Sequence, residues 1–266
     1  MIHTHRWDPP KGTAVRSRGV YLLHGMGEHG ARYERLATRL AGEGWRVAAH
    51  DHPGHGRSSG RRGVAVPPDD LVRQAAVRLE RFAAECDSTP FLFGHSLGGV
   101  VATELVLGRY VPIAGLLLSA PAIAPYLSAA NRLRLQLLSV LAPSRSVELP
   151  YDASRLTHDP EEIVAAHADE LNHGFKSAGL IRWLIGGAQR AIARADELEV
   201  ATLLMIAGSD LLIDTERTRE FAERVPERLL TTCVYDGYHH ELLNETPERR
   251  ERVMDDIVRW LRSRGG

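Results

Sequence analysis

Phe91-Leu92-Phe93-Gly94-His95-Ser96-Leu97-Gly98-Gly99-Val100-Val101 is the stretch that decides the fold of this chain. Residues 91–93 form an apolar run of strand character. Residues 99–107 are small and apolar at helical length. Between them Gly94-His95-Ser96-Leu97-Gly98 reads G-x-S-x-G. A serine at a strand-to-helix junction, with glycine two residues to either side, sits on a turn too tight for side chains at the flanking positions. Its hydroxyl is a poor nucleophile at neutral pH unless a general base adjoins it. The rest of the chain must therefore supply a base, an acid to orient it, and N–H donors for an oxyanion.

Outward from this unit, apolar runs alternate with helical patterns, the mark of a mainly parallel sheet. The strand candidates are 20–23, 46–50, 114–119, 202–207 and 231–235. Helical spacing covers 33–40 and 72–83, with Asp69 or Asp70 as a cap, and 247–263 closes the chain with Val253, Ile257, Trp260 and Leu261 on one face. Gly42 and Gly44 stop the first helix. From Ala122 to Ala195 strand signals cease. Helical patterns at 131–141, 160–171 and 179–194 are separated by prolines. The expected organisation is a core over 1–121, a helical insertion over 122–195, and a second core part over 196–266.

The helix that opens at Leu97 brings free N–H groups and a positive dipole end beside Ser96, so the Leu97 N–H is a natural oxyanion donor. A second donor belongs on the loop after an early strand, and His24-Gly25-Met26-Gly27-Glu28-His29-Gly30 is that loop, with Met26 N–H as the assigned donor. Asp210 directly follows the run ending at Ala207 and is the expected acid. Asp214, at the start of a helical stretch, is the rival better suited to capping. Two adjacent histidines, His239 and His240, compete as base, and spacing alone does not choose between them. The order nucleophile, acid, base, each after a strand, is that of a hydrolytic triad.

Composition narrows the alternatives. The chain has 266 residues, 44% hydrophobic and 25% charged, with a formal net charge of −1. That balance argues against a nucleic-acid partner held by bulk electrostatics. The two cysteines, Cys86 and Cys233, make neither a disulfide framework nor a metal spacing. The cluster His50-Asp51-His52-Pro53-Gly54-His55 fits no metal-site spacing, His3 and His5 are read as solvated, and His95 as a packing or hydrogen-bonding neighbour of the turn. With no phosphate-cradling loop, neither metal nor cofactor is expected. No signal peptide or membrane-spanning run is visible, so a soluble cytoplasmic protein is expected.

Five segments together resemble the monoacylglycerol lipase and lysophospholipase branch of the α/β-hydrolases. They are His24-Gly25-Met26-Gly27-Glu28-His29 with Arg32-Tyr33; Asp51-His52-Pro53-Gly54-His55-Gly56-Arg57-Ser58; Gly94 to Gly99; Gly208-Ser209-Asp210; and Gly237-Tyr238-His239-His240. The resemblance implies an α/β-hydrolase fold, a mainly parallel sheet flanked by helices with a helical cap after the sixth core strand. It implies Ser96 as nucleophile, Asp210 as acid, and Met26 and Leu97 as oxyanion donors. The family register, three residues after Gly237, implies His240 as base. The implied activity is hydrolysis of a single-chain lipid ester through an acyl-enzyme. Small-ester carboxylesterases and peptidases of the same fold are the alternatives, with a non-catalytic binding module behind them. Dehalogenases and epoxide hydrolases of this fold need a carboxylate where Ser96 stands. Leu133, Leu137, Leu138, Leu141, Ile181, Trp183, Leu184 and Ile185 would line an acyl tunnel, touch a membrane surface, or pack the cap onto the core.

Overall fold

A computed structural model describes residues 1–64, 69–123, 138–148 and 152–265. Its centre is a 7-stranded sheet in which β2 (Gly19–Leu23), β4 (Phe91–His95), β5 (Gly115–Ser119) and β8 (Thr202–Ala207) are buried along their whole length. Strands covered on both faces have no use for alternating polar residues, which is why these segments read as continuous apolar runs. β3 (Arg46–His50) and β9 (Leu230–Tyr235) pair in parallel with their neighbours. The spatial order is β1-β3-β2-β4-β5-β8-β9, and β1 (Thr4–Trp7) lies antiparallel on the outer edge of β3.

Helices cover both faces. Leu36 and Leu40 of α1 (Glu34–Gly42) and Val253, Ile257 and Leu261 of α7 (Pro247–Gly265) pack on one face. Leu71 and Leu79 of α2 (Asp70–Ala83), Val100 and Leu105 of α3 (Leu97–Leu107), Leu184 of α5 (Ala178–Ala193) and Phe221 of α6 (Thr215–Arg224) pack on the other. The chain leaves α1 through Gly44 at φ +91°, a conformation that glycine adopts without strain. Asp69 occupies the N-cap of α2 but makes no side-chain bond to the helix, and Asp70 instead accepts from Gln74.

Between β5 and β8 the described residues are mostly helical. They include 138–141, α4 (Pro160–Ala168) and α5, with a two-stranded ribbon of β6 (Ser146–Glu148) and β7 (Phe175–Ser177). In chain order this segment follows the fifth strand of the sheet, where the resemblance implied the sixth. The expected helix over 131–141 falls partly outside the described residues, as do Leu133 and Leu137. Among the described residues no helix is long and apolar enough to cross a membrane.

Candidate active site

Ser96 occupies the junction of β4 and α3 at φ 51° and ψ −116°, a left-handed conformation that costs an L-residue of order 1–3 kcal/mol. Close packing enforces it. A Cβ on Gly94 would strike the Gly98 carbonyl, and one on Gly98 would strike the carbonyls of Leu23 and His24. The Ser96 main chain is anchored on both sides, its N–H donating to Ser119 O at 3.1 Å and its carbonyl accepting from Ala122 N at 3.0 Å.

The glycine-rich loop after β2 lies against this turn. A Cβ on Gly25 would come within 3.3 Å of Ser96 Cβ. Leu97 opens α3 directly after Ser96, so its N–H has no intrahelical acceptor. Met26 sits between Gly25 and Gly27, the latter at φ +82°. The loop is braced from behind by Glu28, a buried carboxylate that accepts from Gly25 N and, at 2.8 Å, from the Tyr33 hydroxyl. Arg32 extends the brace, 3.5 Å from Glu28 and 2.6 Å from Glu241. The motif contains Glu28, Arg32 and Tyr33, but its spacing does not reveal that they join Glu241 across the chain.

The loops after β8 and β9 are tied together, Gly208 N donating to Tyr235 O at 2.8 Å and Ser209 N to Tyr238 O at 3.0 Å. This brings Asp210 to His240, whose Nδ1 lies 2.6 Å from Asp210 Oδ2. The other carboxylate oxygen accepts from Leu212 N and Ile213 N at 2.8 and 3.0 Å. Asp214 instead caps α6 by accepting from Glu216 N. Burial alone would push the His240 imidazole down, but the Asp210 charge and hydrogen bond, with Glu241 and Glu28 nearby, hold it above its ordinary value. Burial would raise Asp210, and its pairing with His240 and the two N–H donors hold it below.

His95 packs its ring 4.9 Å from that of His240 and hydrogen-bonds Ser119 O through Nδ1 at 3.0 Å. Burial, then the neighbouring His240, push it down to about 3, so it stays neutral and is unsuited to accept a proton. His239 faces elsewhere. Its N–H donates to the buried Glu245 at 2.8 Å, and its ring stacks on His158 at 3.6 Å. Of the two adjacent histidines, it is His240 whose ring meets Asp210. With Nδ1 committed to Asp210, the Nε2 of His240 is the atom left for proton transfer.

The segment between β5 and β8 grips both loops of this site. His173 N donates to Gly27 O at 2.8 Å, His29 Nε2 meets Asp169 at 2.7 Å, and Glu241 N donates to Leu156 O at 2.8 Å. Of the expected lining residues in the described part, Leu184 is buried, Ile181, Trp183 and Ile185 are half-buried, and Leu138 and Leu141 are exposed. His3 and His5 depart from the expectation of solvated side chains. Both are half-buried, and His5 Nε2 lies 2.7 Å from the buried Asp51. They are partly buried because β1, which has no apolar run to announce it, pairs along the edge of β3.

Comparison with known proteins agrees with this architecture. Residues 16–247 match the family model described as serine aminopeptidase, S33. The chain is 33% identical to the monoacylglycerol lipase of Mycolicibacterium smegmatis, over 96% of this chain and 90% of that protein. It is 30% identical to human monoglyceride lipase, over 97% of this chain and 86% of the relative. The crystal structure of Paleococcus ferrophilus monoacylglycerol lipase superposes with a TM-score of 0.88 at 28% identity, covering both chains fully. A family match across most of the length, relatives at this identity and a shared mostly parallel sheet leave one assignment: the chain belongs to the S33 serine aminopeptidase-type family of α/β-hydrolases, in the branch of the monoacylglycerol lipases.

Proposed function

We propose that this carboxylic ester hydrolase cleaves a single-chain lipid ester, a monoacylglycerol or lysophospholipid, through an acyl-enzyme on Ser96. The observation that carries the reading is the buried His240–Asp210 pair at 2.6 Å beside a strained serine turn, in a chain whose relatives are monoacylglycerol lipases. His240 Nε2 takes the Ser96 hydroxyl proton as Oγ attacks the ester carbonyl. The Met26 and Leu97 N–H groups stabilise the oxyanion, each such donor being worth roughly 3–4 kcal/mol in the transition state. The tetrahedral intermediate collapses as His240 protonates the departing alcohol. Water, deprotonated by His240, then attacks the acyl-enzyme, and collapse returns the proton to Ser96 and frees the acid.

On this reading the described residues between β5 and β8 act as a cap over the site and select the acyl chain through their apolar side chains. Exposed Leu138, Val140 and Leu141 suit it for brief contact with a lipid surface. The description of the matching family favours a second reading, a peptidase of the same fold.

A fluorophosphonate probe and a substrate series separate these readings. Labelling is expected at Ser96 and lost in Ser96→Ala, with hydrolysis of long-chain monoacylglycerols or lysophospholipids. Unlabelled wild-type protein overturns the serine mechanism. Activity confined to acetyl and butyryl esters, or to aminoacyl substrates, overturns the lipid assignment.

A further inference from the structure

At the sheet edge remote from the β8 and β9 loops, three side chains converge that the hydrolytic chemistry does not use. One donor atom from each of His3, His5 and Asp51 lies within 4.8 Å of the other two. His5 lies in β1 and His3 immediately precedes the strand, two residues away. Their rings meet edge to face with centroids 4.7 Å apart. Asp51 follows β3 directly and points a fully buried carboxylate at the His5 ring, Oδ1 lying 2.7 Å from Nε2.

The backbone beneath these donors is fixed independently of their side chains. Asp51 N donates to His3 O at 3.0 Å, and His3 N donates to Ser58 Oγ at 2.9 Å. Thr4 pairs with His50 and His5 with Ala49 in the antiparallel ladder. The carboxylate is oriented in turn by Gly30 N on Oδ1 at 2.9 Å and Arg57 N on Oδ2 at 2.8 Å. Arg57 reaches Asp51 through its main chain, and its side chain is exposed. Donors in and beside paired strands, with their own supporting hydrogen bonds, are an arrangement that holds an ion with little reorganisation.

We propose that His3, His5 and Asp51 form a binding site for one zinc-type divalent cation. Two imidazoles and one carboxylate suit a borderline ion at bond lengths of about 2.0–2.2 Å, with water completing a tetrahedral shell. The ion displaces the hydrogen bond between His5 Nε2 and Asp51. The proton on His5 moves to Nδ1, and the ring stays neutral. No bond to the catalytic residues is involved. The ion clasps β1 to the loop that follows β3. Through Gly30 N on Asp51, it also fastens the end of the glycine loop that approaches Ser96.

Tag-free protein, stripped with a chelator and dialysed, is titrated with Zn²⁺ by calorimetry and with Co²⁺ by visible absorption. The expected result is one ion per chain, a tetrahedral-type Co²⁺ spectrum, and a rise in melting temperature with Zn²⁺. His3→Ala and His5→Ala should each weaken binding at least about tenfold and abolish the spectrum. His167→Ala, on the exposed side of α4, should leave both intact. If His5→Ala fails to fold, His3→Ala decides, because among the described residues the His3 ring packs edge to face on His5 and makes no hydrogen bond. Absence of saturable binding overturns the site. So does binding that persists unchanged in His3→Ala, which would mean an adventitious ion held by other histidines. Both readouts are independent of hydrolysis.

Discussion

Ser96 holds a conformation that any L-side chain resists, so the turn stores strain in the folded state. Removing the hydroxyl alone leaves that strain in place. Ser96→Gly should therefore be more stable than Ser96→Ala by about 1–2 kcal/mol, read from urea midpoints, although both abolish activity. Equal stabilities would mean that the turn relaxes without its serine. His240 carries the second argument at this scale. Burial opposes its protonation, yet the charges of Asp210, Glu241 and Glu28 leave its affinity for a proton above the ordinary 6.5. The working base is neutral, so kcat/KM should fall as pH drops through a value above 6.5. Asp210→Asn removes the largest favourable charge, so it should move that limb downward and lower kcat by about four orders of magnitude. His240→Ala should lose at least about a thousandfold in kcat, and His239→Ala far less, measured by steady-state ester hydrolysis. An equal loss in the two alanine variants would contradict the geometry in which only His240 meets Asp210.

The loop after β9 is positioned by contacts from an element about eighty residues earlier in the chain. Glu245, fully buried, accepts from His239 N at 2.8 Å and from His158 Nδ1 at 2.7 Å, while Thr157 Oγ1 donates to Asn244 O at 2.6 Å. Burial would raise the Glu245 carboxyl, but these donors hold it below its usual range, so it is ionised at neutral pH. Glu245→Ala should release the residue before His240, lowering kcat by roughly tenfold to a hundredfold with a smaller change in KM, the expected effect of an ångström-scale misplacement. Glu245→Gln keeps an acceptor for His239 N and should recover most of the rate. Loss of stability without this kinetic split would reduce Glu245 to packing. Such contacts mark where the sequence stops being legible. Only the family resemblance chooses His240 over His239, but the buried strands, the serine turn and the order of Ser96, Asp210 and a following histidine are written in local patterns of apolar runs and glycines. The element β1 is not, because Thr4-His5-Arg6-Trp7 alternates exposed and half-buried residues on an outer edge and has no apolar run. Nor are the His5–Asp51, His29–Asp169 and His158–Glu245 pairs, whose partners are brought together only by tertiary packing.

Across the molecule, histidines form a buried chain that ties the loop after β2 to the loop after β3 and to the segment that carries His173. Ring centroids lie 4.9 Å apart for His50–His52, 4.2 Å for His24–His52, 5.4 Å for His24–His55 and 4.8 Å for His55–His173. Their protonation states are written into the backbone. His24 Nε2 accepts from His52 N at 2.8 Å while its Nδ1 faces Gly25 O at 2.7 Å, and His52 Nε2 faces His24 O at 3.1 Å. A second proton on His24 would break the bond to His52 N. Burial, the largest cause in each case, pushes His52 and His173 down to about 4 and His55 to about 3, with His24 and His50 well below the ordinary value. In the unfolded chain these side chains regain an ordinary value of 6.5. Below that pH the unfolded state binds protons that the native state refuses, so stability must fall with pH between about 6.5 and the depressed native values. At pH 5.5 each such histidine costs on the order of 1 kcal/mol, so several together remove a sizeable part of an ordinary domain's stability. His240 acts in the opposite sense, its raised value favouring the native state below 6.5, but it is one residue against several. Urea unfolding at pH 7.5 and 5.5 should show a markedly lower midpoint at the acid value with little change in slope. His55→Gln, which removes one depressed group, should narrow the difference between the two pH values. A midpoint that holds steady or rises on acidification would show that these rings are protonated in the native protein, and the loop bonds drawn from their neutral forms would have to be redrawn.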